Sequence, residues 1–143
     1  MLTEETLPQQ QRHLKVHQPV WKHHLPASST AATSMSMQLE LKNVDLRAGD
    51  KLKIKGEILH NAERFQIDLG CDSDDLALHF NPRFHDDADG AVLVCNSKVD
   101  GCWGDEKREI DNPLQRGSDV KIVLKLSGDV FEVELPDGQE VQF

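Results

Sequence analysis

From Met37 onward the chain repeats one device: apolar residues at every second position, broken by short polar turns. Leu39 and Leu41 alternate with Glu40 and Lys42, and Leu52 and Ile54 alternate with Lys51, Lys53 and Lys55. Phe65, Ile67 and Leu69 carry the period to Gly70; later Val120, Ile122, Leu124 and Leu126 form one row, and Phe131, Val133 and Leu135 form another. Successive side chains of a strand point to opposite faces, so a period of two predicts strands with one buried face. Ala48-Gly49-Asp50, Ser127-Gly128-Asp129 and Pro136-Asp137-Gly138 interrupt the period with residues that favour turns. Helical periodicity is almost absent. The fold class is therefore all-β, an antiparallel β-sandwich.

The stretch Leu76 to Arg108 departs from plain alternation, because its polar residues are of unusual kinds. If it begins as a strand, Leu76, Leu78 and Phe80 face the core while His79, Asn81 and Arg83 stand in one row on the other face. Val92 to Ser97 predicts a second strand carrying Asn96, and Trp103-Gly104-Asp105-Glu106-Lys107-Arg108 follows with an indole, a carboxylate and a guanidinium. A neutral sugar presents hydroxyls, each both donor and acceptor, around an edge and a patch of C–H bonds on one face. Its recognition needs directional polar groups and a flat aromatic platform. His79, Asn81, Arg83, Asn96, Glu106 and Arg108 supply the first and Trp103 the second. Trp103 and Glu106 have opposite parity, so both serve one face only if the chain bulges between them, and Gly104 permits that.

Other readings compete residue by residue. A single histidine or tryptophan is more often a surface or core residue than a ligand contact; the joint spacing is what favours a site. Asp86-Asp87-Ala88-Asp89-Gly90 hints at calcium, but His85 and Asn96 stand where a calcium-binding loop needs acidic residues, and the segment reads as a solvated loop with no metal. Cys95 has inward parity and reads as a buried thiol, whereas Cys102 reads as exposed. A glycosidase would need two carboxyl groups across the scissile bond, one with a raised pKa. Glu106 has Arg83 and Arg108 as expected neighbours, which keep it ionised, and no second carboxylate shares its row, so an enzyme is disfavoured.

Composition narrows the field further. With 143 residues, 38% apolar, the chain suits one domain with a modest core, and its net charge of −9 disfavours a nucleic-acid partner. No apolar run approaches the roughly 18 residues that membrane insertion requires. Three cysteines, Cys71, Cys95 and Cys102, form no metal-binding pair and are expected to be reduced, and no cofactor is implied. There is no charged start followed by an apolar block, and no glycosylation sequon. Residues 1–36, with Gln9 to Gln11, His13, His17, His23 and His24, and a Ser/Thr/Ala run, show no sustained period and read as a disordered extension; 37–143 read as the domain.

The three blocks His79-x-Asn81-Pro82-Arg83, Val94-x-Asn96-Ser97 and Trp103-Gly104-x-Glu106-x-Arg108 resemble the signature of the galectins in order and spacing. The resemblance runs from about Met37 to the end and includes Phe65-x-Ile67-x-Leu69-Gly70 and Leu135-Pro136-Asp137-Gly138. It implies a jelly-roll-like sandwich and a lectin for β-galactosides on glycoproteins and glycolipids. By the same analogy His79, Asn81 and Arg83 bond the axial 4-hydroxyl of galactose, Asn96 and Glu106 its 6-hydroxyl, and Trp103 stacks on its face. Glu106 and Arg108, with Arg83, reach the next sugar. Galectins lack a leader yet act both in the cytosol and outside the cell, which sets the expected location. The family domain continues past Phe143 for two further strands, one beside the first strand in the ligand-bearing sheet and one at the edge of the other sheet. The sandwich is thus expected to be C-terminally incomplete, with the first strand short of a neighbour, dimerisation in doubt and agglutination poor. A galectin-like module that binds a protein partner instead of sugar is the alternative.

Overall fold

The computed structural model describes residues 46–143 in full and, before them, the strand backbones of His13–Gln18 and Met37–Lys42. Their strands are β1 (His13–Gln18), β2 (Met37–Lys42), β3 (Lys51–Glu57), β4 (Gln66–Gly70), β5 (Leu76–Asp86), β6 (Gly90–Val99), β7 (Cys102–Trp103), β8 (Lys107–Glu109), β9 (Asp119–Ser127), β10 (Val130–Glu134) and β11 (Glu140–Gln142). All pairings among them are antiparallel. One sheet has seven strands in the order β2-β1-β4-β5-β6-β7, with β8 also on β6, and the other has four in the order β11-β10-β9-β3. Among the described residues no helix is long and apolar enough to cross a membrane.

The alternation read from the sequence explains how the sheets meet. Leu52 on β3, Ile122 and Leu124 on β9, Phe131 and Val133 on β10 and Val141 on β11 are buried in one cluster. That cluster also holds Ile67 and Leu69 of β4, Leu78, Phe80 and Phe84 of β5, and Leu93 and Cys95 of β6. The two sheets therefore share a single apolar core. Lys51, Lys53 and Lys55, at the intervening positions of β3, are exposed. Leu76 is buried but outside the shared cluster. The register of β5 on β6 shifts between Leu76 and His79, so parity counted back from Phe80 does not carry through that point.

One tight turn determines where Trp103 falls. Asp100 (φ 49°) and Gly101 (φ 77°) are both left-handed and form the two-residue link between β6 and β7. Hairpins of this length favour that conformation because it matches the strand twist. The link is tied down by Asp100 N–H donating to Asp75 Oδ1 at 2.9 Å and Gly101 N–H to the Asp74 carbonyl at 3.0 Å.

The N-terminal segment differs from expectation. His13–Gln18, read as part of a disordered extension, is a strand lying between β2 and β4, with Val16 opposite Leu39 on one side and Ile67 on the other. The first strand of the domain, β2, expected to be short of a neighbour, is thereby paired. The rest of 1–36 lies outside the described residues. Proline cannot donate to a sheet ladder and is disfavoured in a central strand. Val16→Pro should therefore lower stability by on the order of 1–3 kcal/mol, seen as a fall of several degrees in melting temperature. An unchanged melting curve would show that β1 contributes nothing to the sheet.

Candidate functional site

On the outer face of the larger sheet lies an open groove of about 410 Å³ lined by Arg64, Gln66, His79, Asn81, Arg83, Val94, Asn96, Trp103, Gly104 and Glu106. Antiparallel registry brings these residues together. Asp68, His79 and Asn96 lie in line across β4, β5 and β6, and Asn81 lies opposite Val94. Seven of the eight site residues expected from the sequence, His79, Asn81, Arg83, Val94, Asn96, Trp103 and Glu106, line this groove; Arg108 stands beside it.

Three of the groove's polar side chains are deeply buried at their base: His79, Asn81 and Asn96 are 8%, 3% and 4% exposed. Each is held by identifiable bonds. Asn81 Nδ2 donates to the Phe65 carbonyl at 2.7 Å, and its Oδ1 accepts from Arg83 Nε at 2.9 Å. Asn96 Nδ2 donates to the Gly104 carbonyl at 3.1 Å, and its Oδ1 accepts from the Ser97 N–H at 2.8 Å. Trp103, by contrast, is half exposed, with its ring 4.8 Å from that of His79 and the Lys98 ammonium 5.0 Å from its centre. An aromatic wall standing over a polar floor is the result.

The irregularity expected in the stretch that joins Trp103 to Glu106 is present: β7 and Gly104 pair with β6 in one register, Trp103 opposite Lys98, and β8 pairs with it one residue out of that register, Lys107 opposite Cys95. A Cβ on Gly104 would lie 3.2 Å from Ser97 Oγ and 3.3 Å from Asn96 Oδ1, so a larger residue would press on the groove floor.

Behind the groove runs a chain of charges. Arg83 Nη1 donates to Asp86 Oδ1 at 2.8 Å, and Arg108 bonds Asp86 Oδ2 at 2.5 Å, Glu106 Oε2 at 2.6 Å and Asp89 Oδ2 at 2.8 Å. Glu106 also lies 3.9 Å from Arg83. Hydrogen bonding from Arg83, then from the Asp89 backbone and Arg108, holds the Asp86 carboxyl far below the usual carboxylate range despite some desolvation. Asp89, Glu106 and Asp86 in turn keep Arg108 still more firmly protonated than a free guanidinium. The reading of this segment as a solvated loop is thus corrected at Asp86, which ends β5 and anchors both arginines, while Asp87 and Asp89 are exposed and Asp89 bonds Arg108 alone. Among the described residues no three His, Cys, Asp or Glu side chains gather as a metal set.

Sequence reasoning also passed over Arg64, Gln66 and Asp68. The signal was available: Gln66 and Asp68 fill the gaps of Phe65-x-Ile67-x-Leu69, and pairing β4 with β5 puts them beside the His79 row. The buried Asp68 bonds His79 Nδ1 at 2.5 Å and accepts from Gln66 Nε2 at 2.8 Å.

The three thiols are free. Burial pushes Cys95 up to about 12, against a smaller opposing effect of Lys107, while Cys102 is exposed. Since the thiolate is the reactive form, iodoacetamide at about pH 8 should label Cys102 and spare Cys95 until the protein is denatured, as read by mass spectrometry of digests. The sign for stability follows: the folded value lies above the unfolded one, so the contribution is intact below the ordinary thiol range and is lost as pH rises towards 12.

Comparison with known proteins fits this geometry. Residues 34–143 match the family model for galactoside-binding lectins. The chain is 43% identical to galectin-1 of Capra hircus over 109 residues, which cover 76% of this chain and 81% of that protein. Its fold is similar to the crystal structure of chicken galectin 2, with a TM-score of 0.66 and 50% identity over 71% of this chain and 75% of that one. It is also similar to a toad ovary galectin in complex with thio-digalactose, with a TM-score of 0.68 and 34% identity over the same shares of the two chains. The galactoside-binding lectin domain and the sandwich fold agree with the signature read from the sequence, and the chain belongs to the galectins, a family of non-catalytic lectins.

Proposed function

We propose that this protein binds β-galactosides of the lactose and N-acetyllactosamine type in the groove on the larger sheet, with glycoproteins and glycolipids that carry them as its partners. The observation that carries this reading is the meeting of His79, Asn81, Arg83, Asn96 and Glu106 with the half-exposed Trp103 in one groove. In this reading His79, Asn81 and Arg83 bond the 4-hydroxyl of galactose, Asn96 and Glu106 the 6-hydroxyl, and Trp103 stacks on the apolar face. Arg83, Glu106 and Arg108 reach the adjoining sugar. Glu106 is the one carboxylate among the groove-lining residues and is flanked by two guanidiniums. This suits accepting hydrogen bonds from hydroxyls better than delivering a proton. The ligand lies in a shallow, wet site and gains few bonds not already made to water, so its dissociation constant should be about 0.1–1 mM.

Calorimetry with lactose tests the platform. Stacking contributes about 0.5–1.5 kcal/mol beyond area burial, and truncation removes the burial as well. Trp103→Ala should therefore weaken binding about tenfold or more, and a variant that binds lactose like the parent would remove Trp103 from the site.

The polar floor has its own test, in competition between epimers. An equatorial 4-hydroxyl would leave His79, Asn81 and Arg83 poorly paired, at a cost of about 1–3 kcal/mol. Lactose should outcompete cellobiose by about tenfold or more; equal inhibition by the two would sink the assignment of that row.

A further inference from the structure

We propose that the upstream strand β1 controls the groove: ligand binds at full affinity only while β1 is seated on β4, and bound ligand in turn holds β1 in its seat.

β1 is an addition to the lectin domain. It lies outside residues 34–143, the span that matches the family model, yet it sits inside the groove-bearing sheet and not at its edge. Antiparallel neighbours need a link of only about two residues, whereas β1 and β2 are joined through the whole of 19–36. Pairing, and not a tight turn, therefore holds β1 in the sheet. That pairing is specific. Leu14 and Val16 fall opposite Leu69 and Ile67, which are buried in the core, while Lys15 and His17 fall opposite Asp68 and Gln66. A slip of one residue would move Lys15 and His17 into the core rows, so a single register is selected.

The strand on which β1 is seated is the one that supports the groove. β4 supplies Gln66 to the lining and Asp68, which bonds His79 Nδ1 at 2.5 Å. Just before it, the Phe65 carbonyl accepts from Asn81 Nδ2 at 2.7 Å, and Arg64 lines the groove. β4 is five residues long and has two neighbours, β1 and β5. Without β1 it becomes an edge strand with one row of backbone N–H and C=O groups unpaired, and β2 loses the one strand it pairs with among the described residues. A short strand paired on one side opens more readily than one paired on both, so the partners of His79 and Asn81 lose their fixed positions. The two states of β1 are then two states of the groove, and linkage makes the effect reciprocal. The ligand half of this step rests on the reading of the groove as a galactoside site, whereas the effect of β1 on β4 can be measured without any sugar.

The experiment is amide hydrogen exchange on the full chain, with and without saturating lactose, and on Val16→Pro, together with calorimetric titration of both proteins with lactose. In the parent, amides of 14–17 should exchange faster than that of Leu124 in the core, the mark of a strand that unseats ahead of global unfolding. Lactose should slow their exchange about fivefold or more. If β1 amides exchange no faster than Leu124, the strand has no unseated state of its own and the proposal is overturned. It is equally overturned if lactose leaves their exchange unchanged, because the unseated form then binds as well as the seated one. Neither measurement needs a variant to fold. In Val16→Pro, which unseats the strand, 66–70 and 79–81 should exchange faster in the absence of sugar, and lactose affinity should fall about fivefold or more. A variant with β1 unseated that binds lactose like the parent sinks the idea. If neither protein binds lactose, the galactoside reading fails, and the exchange of 66–70 and 79–81 in the variant decides the proposal: faster exchange supports control of the groove by β1, and unchanged exchange overturns it.

Discussion

Everything in the groove depends on one strand being buried on both faces. Phe80 of β5 is wholly buried in the shared core, while its neighbours His79 and Asn81, on the opposite face, are nearly as inaccessible. An unpaired buried polar group costs about 1–3 kcal/mol. A row of polar side chains at the base of a groove is therefore sustainable only if adjoining strands supply partners for each of them. The Phe65 carbonyl beside β4 does so for Asn81, Asp68 for His79, and the bulge carbonyl of Gly104 for Asn96. Two separate segments, β4 with the residue before it and the stretch after β7, thus converge on the middle of the sheet, and core packing behind Phe80 keeps their spacing fixed.

Charge takes over where the groove opens to solvent. Arg83 and Arg108 would repel each other so close together, and Asp86 between them removes that conflict by bonding one guanidinium with each oxygen. Its turn is itself held, since the N–H groups of Ala88 and Asp89 donate to Oδ2 at 3.1 Å each. The linkage has a definite sign. Because Arg83 and its companions depress the folded value, the clamp's contribution is complete above the ordinary carboxylate range and is lost only in strong acid. The two arginines therefore stay in place throughout mildly acidic conditions.

What could be read from the chain was whatever depends on parity within one strand. The alternation of Phe80 with His79 and Asn81, the inward Cys95 beside the outward Asn96, and the bulge needed to bring Trp103 and Glu106 to one face all follow from a period of two and a well-placed glycine. What escaped depends on registry between strands. Asp68 acquires its role only because β4 pairs with β5 so that it faces His79, and Asp86 because β8 brings Arg108 alongside. His13–Gln18 escaped for a related reason. Leu14 and Val16 alternate with polar neighbours, but two apolar positions are too few to distinguish a strand from chance, and its partners are remote in sequence.

The same satisfaction that makes the groove stable limits what it can offer a ligand. Asn81, Asn96 and Arg83 each have part of their hydrogen-bonding capacity committed within the protein before any sugar arrives. The atoms that remain are few, fixed in direction and already wet, so each new bond replaces one to water with little net gain. A misplaced hydroxyl, however, leaves those same fixed atoms without partners at full cost. A site built this way is expected to discriminate between epimers more strongly than it binds either of them. Preorganised polar groups on a rigid sheet thus favour selectivity at modest affinity over tight binding.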